Sequence, residues 1–429
     1  MFENNNLHKR HKAALPNWSP LYYESPIAIV RGEGRRVWDG DNVEYLDLFG
    51  GILTTMTSYN EPSVVEAIRD QAGKMIHSST LYLIEEQIEL AEKIAELSGI
   101  ADAKVFFVNS GSEANDAALM LATAYRRSNQ VLAMRHSYHG RSFATVPVTG
   151  HSSWSPTSLT PFIVNYVHGS YRYRCPFGDL PDEKYIDACV GDLDNIIRVA
   201  TTGDVACLIA EPMLGVGGFA YGPDGLFGAL KKRLDDDGIL FISDEVQTGW
   251  GRTGDHFWGY QAHNVTPDII TFAKGVGNGL PIGGVIARRE IMDCFKSLSI
   301  STFGGNPLVC RGALANLKVL LETKLQDNAR QRGAELSNHL STLAGRYDFV
   351  GEYRGKGLAL AIEIVKDRVS KTPDPDRTMA ILEAAKSNGL LIGKGGFYGN
   401  VLRFSPPMSI TAEEVREAKD KLDASFAVV

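Results

Sequence analysis

The sequence predicts an α/β fold: a large domain with a mostly parallel sheet covered by helices, plus a smaller α+β domain built from both termini. Three observations support this prediction. Strand-like and helix-like runs alternate from about residue 104 to residue 287. Hydrophobic residues make up 44% and charged residues 22% of the composition, as in an ordinary globular protein. At 429 residues the chain is too long for one ordinary core, so a second domain is expected.

The N-terminal part begins with a polar, basic stretch at residues 7–17, which predicts an arm or a short docking helix. A meander follows, with strand-like runs at 27–31, 36–39 and 45–49. Apolar residues then recur at helical spacing over 61–72 and 85–97.

The alternating region predicts parallel pairing, because a helix between two strands returns the chain to the same end of the sheet. We predict its strands at 105–108, 130–134, 206–210, 239–243, 269–272 and 284–287. Helices are predicted from Ser112 onwards and over 227–235. After Pro307, one long helical stretch runs to about Leu343. Strands at 358–365, 389–392 and 401–404 and a helix at 378–387 complete the chain.

These elements divide the chain into three parts. We predict that residues 1–55 pack with the small domain, that residues 56–310 form the large domain, and that residues 311–429 form the small domain. Residues 367–376 include two prolines and are predicted to form a surface loop.

The net charge and the cysteine pattern indicate which binding partners and which cellular compartment to expect. The net charge of −7 provides no broad basic surface, so neither nucleic acid nor a membrane is an expected partner. No apolar run approaches the length of a membrane-spanning helix, and the first ten residues lack the apolar centre of a secretory signal. The five cysteines are dispersed without a C-x-x-C pair, which is typical of reduced thiols in a cytoplasmic protein.

Lys274 and Asp244 each follow a short β-branched or aromatic run, and Lys274 leads into a glycine-rich turn. A desolvated, sterically open amine is a nucleophile toward aldehydes. An acid at the end of a neighbouring strand can keep a pyridine nitrogen protonated. Together the two residues predict a Schiff base with pyridoxal 5'-phosphate (PLP) and an aspartate partner for its ring. Taken alone, they also fit a surface lysine and a helix cap.

The segment 109–115 (NSGSEAN) lies at a predicted strand-to-helix junction. Gly111 allows the backbone to approach a ligand closely, and Ser112 is predicted to cap the helix and to direct its hydroxyl and the following amides at an anion. The segment is therefore a candidate phosphate site. The alternative is an ordinary helix cap with Glu113 in the first turn.

The loop 136–142 (HSYHGRS) follows a predicted strand. Tyr138 beside a glycine can stack on a heteroaromatic ring, and Arg141 can bind a carboxylate through two hydrogen bonds. His136 and His139 have the spacing of a metal pair, but no carboxylate or cysteine is near in sequence, so no metal site is predicted.

Two further charged residues interrupt apolar strands. Glu211 ends a buried strand, where carboxylates line the ligand crevice of open α/β sheets; the alternative is a salt bridge to a local arginine. Arg403 lies inside the apolar run 401–404 and needs a partner or a ligand. We predict a ligand.

Together these motifs resemble those of class III (ω-type) aminotransferases of PLP fold type I. The matching segments occur in the family's order and cover nearly the whole chain: 32–34, 38–39, 109–115, 139–141, 210–212, 244–254, 273–275, 301–307 and Arg403. Within the class, the stretches 19–23, 77–80 and 256–263 most resemble the alanine–glyoxylate aminotransferase 2 group.

The resemblance implies a role for each matching residue. Lys274 would be the Schiff-base lysine and proton carrier, and Asp244 would hold the ring nitrogen protonated. The remaining cofactor-binding residues would be Ser110, Gly111, Ser112, Tyr138, His139, Glu211, Val246, Gln247 and Thr302. Thr302 would reach the phosphate of the neighbouring subunit, which implies a homodimer with the active site at the interface, or a tetramer. The substrate-binding residues would be Gly51, Arg141, Glu211 and Arg403, with Glu211 as a switchable partner of Arg403.

The expected activity is transfer of an amino group from an amino acid or ω-amino acid donor to a 2-oxo acid. Arg141 departs from the alanine–glyoxylate group, in which a small residue commonly occupies this position. An arginine there is usual in the 4-aminobutyrate, ornithine and acetylornithine branches. It therefore favours a dicarboxylic acceptor such as 2-oxoglutarate, or an ω-amino acid donor. The alternatives are a PLP-dependent lyase, decarboxylase or aminomutase, and a non-catalytic relative with a binding or regulatory role.

Overall fold

The computed structural model describes the backbone of residues 2–429 and the side chains from residue 6 onwards. The helices are α1 (Phe2–Ala14), α2 (Gly50–Leu53), α3 (Pro62–Ala72), α4 (Glu85–Leu97), α5 (Gly111–Arg126), α6 (Thr145–Val148), α7 (Asp182–Ala200), α8 (Leu226–Asp235), α9 (Arg289–Met292), α10 (Pro307–Glu322), α11 (Leu325–Arg346), α12 (Pro375–Ser387) and α13 (Ala412–Phe426). The strands are β1 (Ile29–Glu33), β2 (Arg36–Asp39), β3 (Glu44–Asp47), β4 (Ala103–Val108), β5 (Gln130–Met134), β6 (Ile163–Val167), β7 (Val205–Ala210), β8 (Leu240–Asp244), β9 (Ile269–Phe272), β10 (Gly283–Arg288), β11 (Val350–Lys356), β12 (Ala359–Ile364), β13 (Leu390–Leu391), β14 (Gly393–Gly395) and β15 (Val401–Phe404).

A seven-stranded sheet in the order β4-β10-β9-β8-β7-β5-β6 forms the centre of the molecule. Every neighbouring pair from β9 to β6 is parallel, whereas β10 is antiparallel to both β4 and β9. All residues of β7, β8 and β9 are buried, as expected for a sheet that helices cover on both faces. The predicted α/β fold with a mostly parallel sheet is confirmed.

Parallel pairing of β7, β8 and β9 places their carboxyl ends at one edge of the sheet. Asp244 is the last residue of β8, while Glu211 and Lys274 lie just beyond the ends of β7 and β9. Three chemically versatile side chains, far apart in sequence, are therefore neighbours in space. This edge is where open α/β sheets bind ligands.

Two four-stranded sheets accompany the central one. The first has the order β1-β2-β3-β13, and the second, which is antiparallel throughout, has the order β11-β12-β15-β14. Because β13 pairs with β3 in parallel, the N-terminal meander and the C-terminal region share a sheet. The division at residues 55 and 310 stays a prediction.

The predicted single helical stretch after Pro307 is wrong. Lys324 has φ 53°, a left-handed conformation that ends α10 and starts α11, although neither glycine nor proline marks the break. The predicted loop 367–376 is too long by two residues, because Asp374 caps α12, which begins at Pro375.

Several elements were not predicted. Helices α7 and α13 had sequence signals: buried residues of α7 recur every fourth position, and Thr411 and Glu414 form a capping box before α13. Strand β11 is largely polar, and its pairing with β12 defines it. Among the described residues, no helix has both the length and the apolar character needed to cross a membrane.

Two glycines of α11 provide a matched test of packing. A Cβ at Gly333 would clash with the backbone of Gly357, whereas a Cβ at Gly345 would meet open space. We expect Gly333→Ala to destabilise the protein by about 1–3 kcal/mol through overpacking. Gly345→Ala should instead stabilise it by up to ~1 kcal/mol, because alanine has the higher helix propensity. The midpoints of thermal unfolding compare the two variants; equal shifts would contradict the close approach.

Candidate functional site

A cleft of about 360 Å³ opens at the carboxyl ends of β7, β8 and β9. Its lining includes most of the residues singled out in the sequence: Ser110, Gly111, Ser112, Tyr138, His139, Glu211, Asp244, Val246, Gln247 and Lys274. The lining also includes Thr54, Asn109, Asn115, Gly140 and Ala273.

Asp244 is buried at one side of this cleft and has three hydrogen-bonding neighbours. One carboxylate oxygen, Oδ2, lies 2.8 Å from His139 Nδ1 and accepts a hydrogen bond of 2.7 Å from Asn115 Nδ2. The other, Oδ1, accepts from the Val246 N–H at 3.1 Å. These contacts compensate the desolvation of the carboxylate and fix its orientation.

Asn115 was quoted in the motif but received no role from the sequence. Its side chain, on the buried face of α5, also donates to the His139 carbonyl at 2.8 Å and accepts from Thr271 Oγ1 at 2.7 Å. The amide therefore links α5, the 136–142 loop, β8 and β9. No sequence signal distinguishes Asn115 from other polar helix residues, because its burial follows from the packing of α5 in the fold.

The N-terminus of α5 forms the opposite part of the cleft. Ser110, not Ser112, is the helix cap: its hydroxyl accepts from the Glu113 N–H at 3.2 Å. The prediction that Ser112 caps the helix is wrong, because the helix begins at Gly111, two residues before the Glu113 start that a cap at Ser112 requires. The first-turn N–H groups of Gly111 and Ser112 have no carbonyl one turn back, so they are available to an anion.

Gly140 lies against Ser112 at the start of α5. Its φ is 139°, and a Cβ there would lie 2.5 Å from Ser112 Oγ. Ser112 Oγ accepts the Arg141 N–H at 3.2 Å, which joins the 136–142 loop to the start of α5. Only glycine permits this approach, so the loop and the helix terminus form one surface.

Glu211 is buried and accepts hydrogen bonds from the Tyr138 N–H at 2.9 Å and the Gly215 N–H at 2.7 Å. Burial raises the pKa of this carboxyl to about 7, and Asp244 contributes in the same direction, while His139 opposes it. Among the ion pairs of the described residues, none involves Glu211, so the alternative of a local salt bridge is not what the structure contains.

Lys274 is half-buried directly after β9 and has φ 47°, a strained value for a residue with a side chain. Burial lowers the pKa of its amine; Asp244 and Glu211 oppose this shift and Arg403 adds to it. The turn that follows is held by Asn316, whose Nδ2 donates to the carbonyls of Gly275 and Val276, both at 2.9 Å. The lysine is therefore positioned by its backbone as well as by its surroundings.

Val246 and Tyr138 contribute apolar and aromatic surface to a lining that is otherwise largely polar. A Cβ at Gly111 would lie 3.1 Å from Val246, so Val246 packs tightly beneath the start of α5. Tyr138 lies edge-to-face against Trp154, with ring centroids 5.5 Å apart. Two buried polar atoms of the lining, Gln247 Oε1 and His139 Nε2, have no hydrogen-bond partner within the described part of the chain.

Four predicted site residues lie outside the lining. Arg403 is buried and donates to the carbonyls of Gly215 at 3.0 Å and Lys394 at 3.1 Å. Arg141 is exposed, with its guanidinium 5.5 Å from the Trp18 ring. Thr302 and Gly51 are exposed as well.

His136 and His139 do not converge on a common point. His136 lies against the rings of Tyr171 and Phe397, whereas His139 faces Asp244. Within residues 2–429 as described, no group of three potential metal ligands is found.

Comparison with known proteins identifies the class to which this fold and site belong. The family model for class III aminotransferases matches residues 19–426. The chain belongs to this family.

Three relatives illustrate the match. The chain is 39% identical to alanine–glyoxylate aminotransferase 2 homolog 2, mitochondrial, of Arabidopsis thaliana, over 98% of this chain and 87% of that protein. It is 36% identical to a leucine/methionine racemase of Thermococcus litoralis, over 98% of this chain and 95% of that protein. Among solved structures, an amine transaminase from an uncultivated Pseudomonas species in its PLP-bound form aligns with a TM-score of 0.89 at 30% identity, covering 94% and 95% of the two chains.

The fold is PLP fold type I, and the cofactor of the family is PLP. The cleft fits this cofactor: the free amides of α5 suit a phosphate, the Asp244 carboxylate suits a protonated ring nitrogen, and the unpartnered Gln247 side chain is available to a ring substituent.

The lowered pKa of Lys274 leads to a pH prediction. A lower pKa means that more of the amine is neutral, and therefore nucleophilic, near neutral pH. We expect PLP added to cofactor-free protein to be trapped on Lys274 by borohydride, with a midpoint below the pH at which ordinary lysines are labelled. Peptide mass spectrometry over a pH series measures the labelling, with exposed Lys318 as the internal reference. A profile for Lys274 that coincides with that of Lys318 would contradict the burial effect.

Proposed function

We propose that this aminotransferase moves the amino group of an amino acid or ω-amino acid donor to a dicarboxylic 2-oxo acid such as 2-oxoglutarate. The observation that carries the proposal is the arrangement of one desolvated amine, Lys274, and one buried carboxylate, Asp244, at the ends of adjacent parallel strands. PLP, when bound, supplies an aldehyde for the amino group and a ring that accepts electron density from the donor's amine-bearing carbon.

The residues of the chain divide the remaining work. Lys274 would take the proton from the donor carbon and deliver it to the carbon that the cofactor's aldehyde contributes, because its lowered pKa keeps a neutral amine available as a base. Asp244 keeps a proton on the ring nitrogen, and His139 and Asn115 keep the carboxylate oriented toward it. Gly111 and Ser112 bind the phosphate with their amides.

The two arginines divide the recognition of the substrate. Arg403 takes the carboxylate next to the reacting carbon, because it is buried and has no ion-pair partner among the described residues. Arg141 takes the second carboxylate of a longer substrate. It stacks loosely on Trp18 and is exposed, so it can turn toward the cleft without breaking a salt bridge.

Arg141→Ala tests this assignment. We expect the KM for 2-oxoglutarate to rise about tenfold, because one charge-assisted contact is lost. The KM for pyruvate, which has no second carboxylate, should stay unchanged. Steady-state kinetics with both acceptors measures the difference; equal changes in the two KM values would show that Arg141 does not recognise the second carboxylate.

Racemisation is a second candidate, because one relative with 36% identity is named a leucine/methionine racemase. Racemisation would use the same cofactor, with Lys274 as the base on one face of the substrate carbon and a second acid as the proton donor on the opposite face. Formation of D-leucine from L-leucine without any 2-oxo acid would favour this activity, and lyase, decarboxylase or aminomutase products would likewise form without 2-oxo acid consumption. Stoichiometric conversion of the 2-oxo acid supports transamination.

We also propose a homodimer. Exposed apolar side chains cluster on two segments that meet where His77 contacts the Phe303 ring, with centroids 5.2 Å apart. They are Met75, Ile76, Leu81, Tyr82, Leu83, Leu298, Ile300 and Phe303. A patch of this kind is typical of a protein interface. Exposed Thr302 lies within it, consistent with a role at the phosphate of the neighbouring subunit.

The dispersed cysteines favour a cytoplasmic location, although one relative is mitochondrial.

Leu83→Glu tests the dimer. The side chain of Leu83 is 93% exposed in the isolated chain. A charge at an apolar interface disfavours association. We expect light scattering to show a monomer. In a steady-state assay this monomer should have little turnover. Val369→Glu is the matched control, since Val369 is 96% exposed in a loop outside this patch. A dimeric Leu83→Glu protein with normal turnover would place the interface elsewhere.

A further inference from the structure

A short loop, residues 214–220, lies between the proposed substrate arginine and the cofactor cleft. Its ends are joined by hydrogen bonding between Leu214 and Ala220. Within it, the Gly215 N–H donates to Glu211 and the Gly215 carbonyl accepts from Arg403. A Cβ at Gly215 would clash with the side-chain amide of Gln247. The position of one peptide group therefore affects three proposed site residues.

A second arginine holds the other end of this loop. Arg354 on β11 donates through Nε to the Gly218 carbonyl at 2.9 Å. Arg354 pairs with Ala361 on β12, and Ala361 pairs with Arg403 on β15. The two arginines therefore project from the same face of the sheet, one on each side of a small alanine.

Phe219 of the loop packs over Ala361, which lies between the two arginines. Phe219 belongs to an apolar cluster with Leu53, Met213, Ala359, Ala361 and Val401. The loop thus rests on the sheet through one aromatic ring and is held by one arginine at each end.

The two arginines differ in whether a buried carboxylate neutralises their charge. Arg354 Nη1 lies 2.7 Å from the fully buried Glu363 and also contacts Glu352. Glu363 is held in turn by Arg174 at 2.7 Å and by the Tyr171 hydroxyl at 2.5 Å. Arg403 has no such carboxylate among the described residues. One arginine is neutralised and fixed, and the other keeps its charge for a ligand.

We propose that Arg354, fixed by Glu363, is a positioning residue for substrate recognition: it holds the 214–220 loop so that the Gly215 carbonyl sets the orientation of the Arg403 guanidinium. This inference rests on the proposed role of Arg403 as the residue that binds the substrate carboxylate. Arg354 acts through the loop and through Arg403, and it does not touch substrate or cofactor.

The test compares variants of the PLP-loaded enzyme, with 2-oxoglutarate as acceptor and the fastest of 4-aminobutyrate, β-alanine, ornithine and alanine as donor. Arg354→Lys keeps the charge beside Glu363, but one amine cannot reach both Glu363 and the Gly218 carbonyl as the guanidinium does. We expect the KM for 2-oxoglutarate to rise about tenfold, as for loss of one charge-assisted hydrogen bond, with kcat nearly unchanged. Glu363→Gln should shift KM in the same direction by less. Glu335→Gln is the control and should leave KM unchanged, since Glu335 forms its ion pair with Arg332 on α11 rather than with Arg354.

A double-mutant cycle with Arg403→Ala distinguishes positioning from general destabilisation. If Arg354 acts through Arg403, the double variant has the same KM as Arg403→Ala alone. A multiplicative effect, or a fall in kcat without a change in KM, would overturn the inference. An unchanged KM in Arg403→Ala itself would overturn the proposed role of Arg403 together with this inference. An effect of Arg403→Ala without any effect of Arg354→Lys would overturn the inference alone.

Discussion

Parallel pairing of three neighbouring strands is the constraint on which the site depends. Because β7, β8 and β9 run in the same direction, the residues at their carboxyl ends lie side by side at one edge of the sheet. Glu211, Asp244 and Lys274 are separated by about thirty residues each along the chain, the length of one strand–helix unit. An antiparallel partner at β8 would have placed Asp244 at the opposite edge. The single antiparallel strand, β10, lies beyond β9 and leaves this arrangement intact.

The three ionisable side chains at that edge differ in the groups that surround them. Asp244 accepts hydrogen bonds from His139, Asn115 and a backbone amide. Glu211 accepts hydrogen bonds from two backbone amides, and His139 opposes the effect of burial, yet burial dominates and raises its pKa to about 7. Burial lowers the pKa of Lys274, although Asp244 and Glu211 act in the opposite direction. Burial thus favours the neutral form of both Glu211 and Lys274, because it raises the pKa of the carboxyl and lowers that of the amine.

The proposed substrate arginine comes from a different part of the molecule from the proposed cofactor-binding residues. Arg403 belongs to the four-stranded antiparallel sheet of the C-terminal region, and its guanidinium contacts the 214–220 loop that follows β7. Substrate and cofactor recognition would therefore depend on separate segments. The relatives of this chain include an aminotransferase and a racemase at similar identity, in keeping with this separation.

The sequence by itself determined the fold class, the positions of six of the seven central strands along the chain and most of the residues that line the cleft, because these depend on local patterns; strand β6 and the order of the strands in the sheet were not predicted. A buried strand that ends in a charged residue is visible in a window of six residues, as at Glu211, Asp244 and Lys274. Helix boundaries were harder to predict from the sequence. Ser110 and Ser112 are both suitable caps for α5, and only the backbone conformation shows that Ser110 is the cap. The break at Lys324 contains neither glycine nor proline.

Contacts between distant segments were decided only by the tertiary structure. Asn115 looked like any polar helix residue until folding placed it between Asp244, His139 and Thr271. Arg354 received no role from the sequence, because its strand β11 was not predicted; sheet pairing buries it beside Glu363, and its Nε donates to the 214–220 loop. Asn115 and Asp244 lie 129 residues apart and Arg354 and Gly218 lie 136 residues apart, so no local sequence pattern encodes these contacts.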